Sequence, residues 1–185
     1  MNWNLPLALT AGRVAVIPVV LALFYTPIPH ARQLAAVLFI AASITDALDG
    51  WLARRWDQES KFGAFLDPVA DKLLVAVVLI MLLRDDPGGV LAILVAIIIG
   101  REITISALRE WMAELGQRTS VAVSWIGKVK TIAQLTAMSL MLWQTPVLGI
   151  PLYEIGYALL FASGVLTVYS MVMYLRAAWP VMREH

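Results

Sequence analysis

Four carboxylates dominate the chemistry open to this chain. Asp46 and Asp49 stand three residues apart in Thr45-Asp46-Ala47-Leu48-Asp49-Gly50-Trp51-Leu52-Ala53-Arg54, and Asp67 and Asp71 four apart in Gly63-Ala64-Phe65-Leu66-Asp67-Pro68-Val69-Ala70-Asp71-Lys72. On helices those spacings put each pair on one face, and two short-linked antiparallel helices bring the pairs together. Four carboxylates in a partly dehydrated cleft repel one another, so either some are protonated or cations are bound among them. All-oxygen donors favour a hard divalent ion such as Mg²⁺ or Mn²⁺. Two such ions would offset the four charges, and a metal pair is a clamp suited to displacement at phosphorus. Gly50, Ala53 and Gly63 leave the helix faces bare at the level of the carboxylates, where a bulky ligand can approach the backbone. Arg54, five residues beyond Asp49, is placed to meet an anionic part of that ligand. The composite suits a phosphate ester held between metals and a guanidinium. Taken singly, an aspartate near a helix end is as readily a cap, and Asp49 as readily a partner of Arg54. Four together beside three small residues are poorly explained that way.

A second set is basic. Arg101 and Arg109, eight residues apart, lie roughly on one helix face, and Lys128 opens the next apolar segment at the same level. Guanidinium forks suit a phosphate monoester and a lysine adds a point charge, so the set fits a second, anionic substrate. The competing reading has Arg109 and Lys128 enforcing topology or touching anionic lipid headgroups. The same competing reading is the minor one for Lys130 and Arg118 and weaker still for Arg101, which lies deeper and has the alternative of pairing with Glu102 or a site carboxylate.

The elements that must position these residues are apolar helices. Of 185 residues 61% are hydrophobic and 15% charged, with a mean hydropathy of +0.79, far from soluble-domain values of ~45–50% and ~25%. Apolar runs fall near Ala11–Tyr25, Gln33–Asp49, Phe65–Leu83, Val90–Trp111, Ser124–Trp143 and Leu152–Leu175. They predict an all-α, polytopic membrane bundle of six transmembrane helices, with residues 1–185 as a single domain. Pro27/Pro29, Asp85-Asp86-Pro87-Gly88-Gly89 and Gln144-Thr145-Pro146 mark breaks on one side, which carries only Arg32 and Arg84. The other side carries Arg54, Arg55, Lys61, Arg109, Arg118, Lys128, Arg176 and Arg183, so it is expected to be cytoplasmic, with both termini. Because Arg13 and Pro18 interrupt the first run, Met1–Gly12 is expected to form a short interfacial segment anchored by Trp3. That start lacks the basic stretch and cleavage site of a secretory signal.

Several classes drop out. With no cysteine, thiolate chemistry and disulfides are excluded, and a net charge of +1 gives no general pull toward nucleic acid. His30 and His185 have no ligand-like company, Asp85-Asp86 reads as a solvated turn, and most tryptophans fall near span ends as interfacial belts. A metal or proton transporter would need a second acidic tier toward the other face, which the chain lacks. A purely structural scaffold would not need small residues beside the carboxylates.

Asp46-x-x-Asp49-Gly50-x-x-Ala53-Arg54, eight residues, then Gly63-x-x-x-Asp67-x-x-x-Asp71 resembles the complete signature of the CDP-alcohol phosphotransferases, eight specified positions over 26 residues. Gly100–Trp111 and Gly127-Lys128-Val129-Lys130-Thr131 resemble its bacterial phosphatidylglycerophosphate synthase branch, and the likeness is strongest over Leu5–Gln134. Leu7 departs from the Asn of many relatives, which puts a nucleotide contact there in doubt. The resemblance implies an enzyme of phospholipid synthesis in the bacterial cytoplasmic membrane, a homodimer with a polar cavity open to the cytoplasm. It implies that Asp46, Asp49, Asp67 and Asp71 hold two divalent ions and that Asp71 is also the general base. By the same resemblance Gly50, Ala53, Arg54 and Gly63, with Thr10 and Arg13, line the CDP-diacylglycerol site, and Arg101, Arg109 and Lys128 bind glycerol 3-phosphate. An alcohol hydroxyl would attack the lipid-bearing phosphorus with CMP as leaving group. Serine, inositol phosphate or phosphatidylglycerol as acceptor is the close alternative. The basic set argues against an uncharged acceptor, and the chain is short for the serine-using relatives.

Overall fold

The computed structural model describes the backbone of residues 5–56, 61–116 and 125–183, and the side chains of 10–45, 69–116, 125 and 127–183. Among the described residues six helices follow in order: α1 Leu5–Tyr25, α2 Ala31–Trp56, α3 Lys61–Asp85, α4 Gly89–Glu114, α5 Trp125–Trp143 and α6 Leu152–Met182. Among the described residues there is no strand, only an isolated bridge between Val147 and Ile150. Each expected run lies within a helix over its described residues; Ser124, at the start of the fifth run, lies outside them. Several helices extend past the apolar stretch into polar turns, because the intrahelical ladder needs no apolar side chain to continue. α4 and α6 are long and apolar enough to cross a membrane, and Thr10–Tyr25 and Ala31–Thr45 are shorter apolar stretches. The start of the chain differs from expectation. α1 runs without interruption from Leu5 through Gly12 and Pro18, so no separate segment ends at Gly12. A proline inside an apolar helix is tolerated where neighbouring groups satisfy the freed carbonyl. Trp3 and Arg118 lie outside the described residues.

The three expected breaks meet at one end of the bundle, tied by side chains. Arg32 of α2 pairs with Asp85 of α3, Gln33 Nε2 donates to Thr145 Oγ1 at 3.0 Å, and Tyr153 OH donates to Asp86 Oδ2 at 3.0 Å. Arg32 also lies 4.0 Å from the centre of the Phe24 ring, and Arg84 4.4 Å from that of Tyr25. Asp85 and Asp86 therefore cross-link the turns rather than merely solvating one. The backbone reverses with left-handed residues at His30, Gln144 and Leu148.

α5 packs most extensively on α6, α1 lies against α2 and α3, α2 against α5, and α4 against α6, while α3 and α4 touch sparsely. The main core joins Phe39 of α2, Leu79 and Leu82 of α3, Ile98 of α4, Met138 and Met141 of α5 and Leu160 of α6. A second cluster, at the opposite end from the three breaks, joins Ile105, Leu108 and Met112 of α4 to Tyr174 and Ala178 of α6. α6 reverses the pattern of a soluble surface helix. Gly156, Ser163, Gly164, Thr167 and Ser170 are buried, while Phe161, Val165, Val168, Val172 and Met173 point outward. Small inward residues let helix backbones approach, as in membrane bundles, and the hydroxyls of Ser163, Thr167 and Ser170 donate to carbonyls one turn back on α6.

One glycine bears that approach. A Cβ on Gly156 would lie 2.8 Å from the Ala137 carbonyl oxygen, 2.8 Å from Met141 Cγ and 3.0 Å from Leu140 Cβ. Gly156→Ala is expected to destabilise the α5–α6 pair by about 1–3 kcal/mol, read as a lower thermal midpoint in detergent. Gly164→Ala meets only the tip of Leu94 at 2.6 Å, which can rotate away, and is expected to unfold close to wild type. Equal midpoints for the two variants would discount the backbone contact.

Candidate active site

All the chemistry-bearing residues fall at the end of the bundle opposite the three breaks. This follows from topology, because α2 ends there, α3 begins there, α4 ends there and α5 begins there. Asp46, Asp49, Gly50, Ala53 and Arg54 lie on the last turns of α2, and Gly63 and Asp67 on the first turns of α3. Their side chains lie outside the described residues. Asp71 is described: it is half-buried on α3, one turn beyond Asp67.

Asp71 lines a polar cavity of ≈ 180 Å³ with Lys72 of α3, Arg101, Glu102, Ile105, Ser106 and Arg109 of α4, and Gly127 and Thr131 of α5. The α4 residues recur at the spacing of one helix face, which brings Arg101 and Arg109 together as the sequence predicts. Lys72, Glu102, Ser106 and Arg109 also line an apolar cavity of ≈ 640 Å³ between α3 and α4, whose other walls include Leu73, Ala76, Ile98, Ile99 and Ile103. The polar site thus opens onto apolar volume.

Glu102 organises the cations. Its Oε1 accepts from Lys130 Nζ at 2.6 Å and from Arg101 Nη1 at 3.1 Å, so the pairing weighed for Arg101 is present. Arg101, 6% exposed, also donates from Nη2 to Ser170 Oγ at 3.3 Å. The Arg101 and Arg109 guanidinium carbons lie 5.7 and 5.2 Å from the centre of the Tyr174 ring. Among the described residues, the Nε atoms of Arg101 and Arg109 are buried without a hydrogen-bond partner. Buried charged donors with unused capacity suit an incoming anion, since an unmet donor costs free energy that a ligand oxygen restores.

The structure departs from the sequence reading at the lysines. Lys128 is exposed, whereas Lys130, for which enforcing topology is only one of the sequence readings, is 1% exposed and bound to Glu102; neither lines the polar cavity. The inward face of α5 is Gly127, Lys130, Gln134, Ala137, Met138 and Met141, a 3.6-residue periodicity that turns Lys128 outward. That apolar period through Gln134 was the available signal. Thr10 and Arg13 are buried on one face of α1, which packs on α2 and α3, but neither lines the polar cavity. Lys72, Ser106, Thr131, Ser170 and Tyr174 join the site only through the fold.

Divalent ions suit the residues present. The four aspartates supply oxygen donors alone and Asp71 stands at the wall of a polar cavity, while α2 and α3, consecutive in the chain, touch only sparsely among the described residues.

A family model for CDP-alcohol phosphatidyltransferase matches residues 3–176. The chain is 51% identical over 178 residues to the CDP-diacylglycerol–glycerol-3-phosphate 3-phosphatidyltransferase of Salmonella choleraesuis (strain SC-B67), covering 96% of each chain. It is 50% identical over the same length and coverage to the proteins of that name from Shigella flexneri serotype 5b (strain 8401) and Escherichia coli (strain K12). With the aspartate motif on two adjoining helices and the model matched over nearly its whole length, the chain belongs to the CDP-alcohol phosphatidyltransferase family.

Proposed function

We propose that the protein transfers the phosphatidyl group of CDP-diacylglycerol to glycerol 3-phosphate, giving phosphatidylglycerophosphate and CMP. The observation that carries this reading is the polar cavity, which Asp71 lines together with the buried Arg101 and the half-buried Lys72 and Arg109. The names of relatives at half identity over 96% of the chain support it. Arg101 and Arg109, which line the cavity, grip the acceptor phosphate, and the buried Lys130 acts on it through Glu102, which holds Arg101 in register; the exposed Lys128 lies outside that lining. Asp71 accepts the proton of the attacking hydroxyl as the new oxygen–phosphorus bond forms and the bond to CMP breaks. Asp46, Asp49, Asp67 and Asp71 would hold two Mg²⁺ or Mn²⁺ ions, which when bound supply positive charge against the diphosphate. Gly50, Ala53 and Gly63 leave room for the donor, and Arg54, Thr10 and Arg13 contribute polar contacts to it. A homodimer of one six-span domain in the cytoplasmic membrane, with both termini and the site on the cytoplasmic side, fits the charge distribution and the outward apolar face of α6.

The test is CMP release by the detergent-purified protein from CDP-diacylglycerol, with glycerol 3-phosphate, glycerol, serine or inositol phosphate, in Mg²⁺, Mn²⁺ or chelator. Release with glycerol 3-phosphate alone, abolished by chelator, is expected. Release with inositol phosphate instead would keep the chemistry and replace the acceptor; silence with every alcohol would return attention to ion transport.

A further inference from the structure

We propose that Tyr174 is a positioning residue of the acceptor site, its buried ring on α6 being the surface that holds Arg101 and Arg109 of α4 together for one phosphate; this rests on the acceptor reading above. Arg101 and Arg109 stand eight residues apart on α4, about 12 Å of helix rise, and as like charges they repel. Both nevertheless come to one aromatic ring, at 5.7 and 5.2 Å from its centre. That is within the range where a ring quadrupole attracts a cation, and the attraction grows in a desolvated setting.

The ring is well placed to do this. Tyr174 is 5% exposed and fixed by Ile105, Leu108 and Met112 of α4 and Ala178 of α6. One turn earlier on the same buried face of α6, Ser170 accepts from Arg101. Arg101 therefore has Glu102, Ser170 and the ring, whereas the buried Nε of Arg109 has no hydrogen-bond partner among the described residues. Among the described residues, the ring is the contact that restrains the long, flexible Arg109 side chain before a ligand arrives. Tyr174 does not line the polar cavity, so it acts on the acceptor through the two guanidiniums. Arginines held in advance lose less rotamer freedom on binding, and that advantage appears as acceptor affinity.

The experiment compares Tyr174→Leu and Tyr174→Phe with wild type in steady-state kinetics, glycerol 3-phosphate binding by calorimetry, and thermal unfolding in detergent. Tyr174→Leu keeps an apolar filler but removes the ring. It is expected to raise the KM and Kd for glycerol 3-phosphate about 10-fold, leaving the CDP-diacylglycerol KM and the kcat at saturating acceptor within about 3-fold of wild type. Tyr174→Phe retains the ring and is expected to keep the acceptor KM and Kd within about 3-fold of wild type, with any contribution of the hydroxyl read in the thermal midpoint. An unchanged acceptor KM in Tyr174→Leu overturns the proposal, as does a Phe variant that behaves like Leu. Parallel losses in both substrates together with a lowered midpoint would assign Tyr174 to packing alone. If Tyr174→Leu does not fold, Tyr174→Met carries the same expectation, and the Phe result stands independently. A wild type that binds glycerol 3-phosphate without turning it over would sink the proposed reaction while leaving this test intact; one that does not bind it would sink both.

Discussion

Asp71→Asn is expected to lower CMP release by about 10³-fold, within the 10²–10⁴ range of a positioned base, while the protein still folds and binds CDP-diacylglycerol. The substitution preserves volume and planarity and removes the negative charge and the capacity to accept a proton. Asp71 is the described member of the aspartate motif, and its carboxylate borders the same cavity as Arg101, Glu102 and Arg109. A hydroxyl held there by its neighbouring phosphate lies at the wall that Asp71 forms. Metal ligation and base catalysis are separable by a titration. If the lost rate returns at high Mn²⁺, the residue matters chiefly as a ligand; if it stays lost at saturating metal, with donor affinity kept, the base role stands. A rate near wild type would remove Asp71 from the chemistry.

Lys130→Ala and Lys128→Ala should separate sharply, although the lysines stand two residues apart. Lys130 is buried and its Nζ lies 2.6 Å from Glu102 Oε1. Removing one partner of a buried pair costs about 3–5 kcal/mol, because the remaining charge is left without compensation. The Glu102 side chain is 26% exposed and keeps Arg101, which places the expected loss below that range, at about 2–3 kcal/mol. Two effects should appear together: a lower thermal midpoint, and an acceptor KM raised by about 100-fold as Glu102, released from Lys130, holds Arg101 back from the phosphate. Adding Glu102→Gln to Lys130→Ala should restore much of the midpoint and of the acceptor affinity, because it removes the uncompensated charge. Lys128→Ala should remain within about 3-fold of wild type on every measure, as for a solvated lysine. The reverse pattern, with Lys128 carrying the acceptor KM, would refute this assignment of the two lysines.

The helices were legible because an apolar run near ~20 residues has few other fates, and the breaks because proline, glycine and paired aspartates stop such runs. Their ends were less so. Apolarity stops at a bilayer-like boundary while the hydrogen-bond ladder runs on, so α2 continues to Trp56 and α6 to Met182. Pro18 was read as an interruption, yet α1 passes through it, since a helix loses one internal bond there and need not end.

Residue types and spacing alone determined the paired aspartates, the small residues beside them, the basic residues of the fourth helix and the family to which they belong. Those features are local: i, i+3, i+4 and i+8 relations hold on any helix. The tertiary structure decided which lysine faces inward, that Glu102 ties Lys130 to Arg101, and that Tyr174, 65 residues beyond Arg109, lies under both arginines. A helix carries every residue at some angle around its axis, and only the helices packed against it select which angle is the interior.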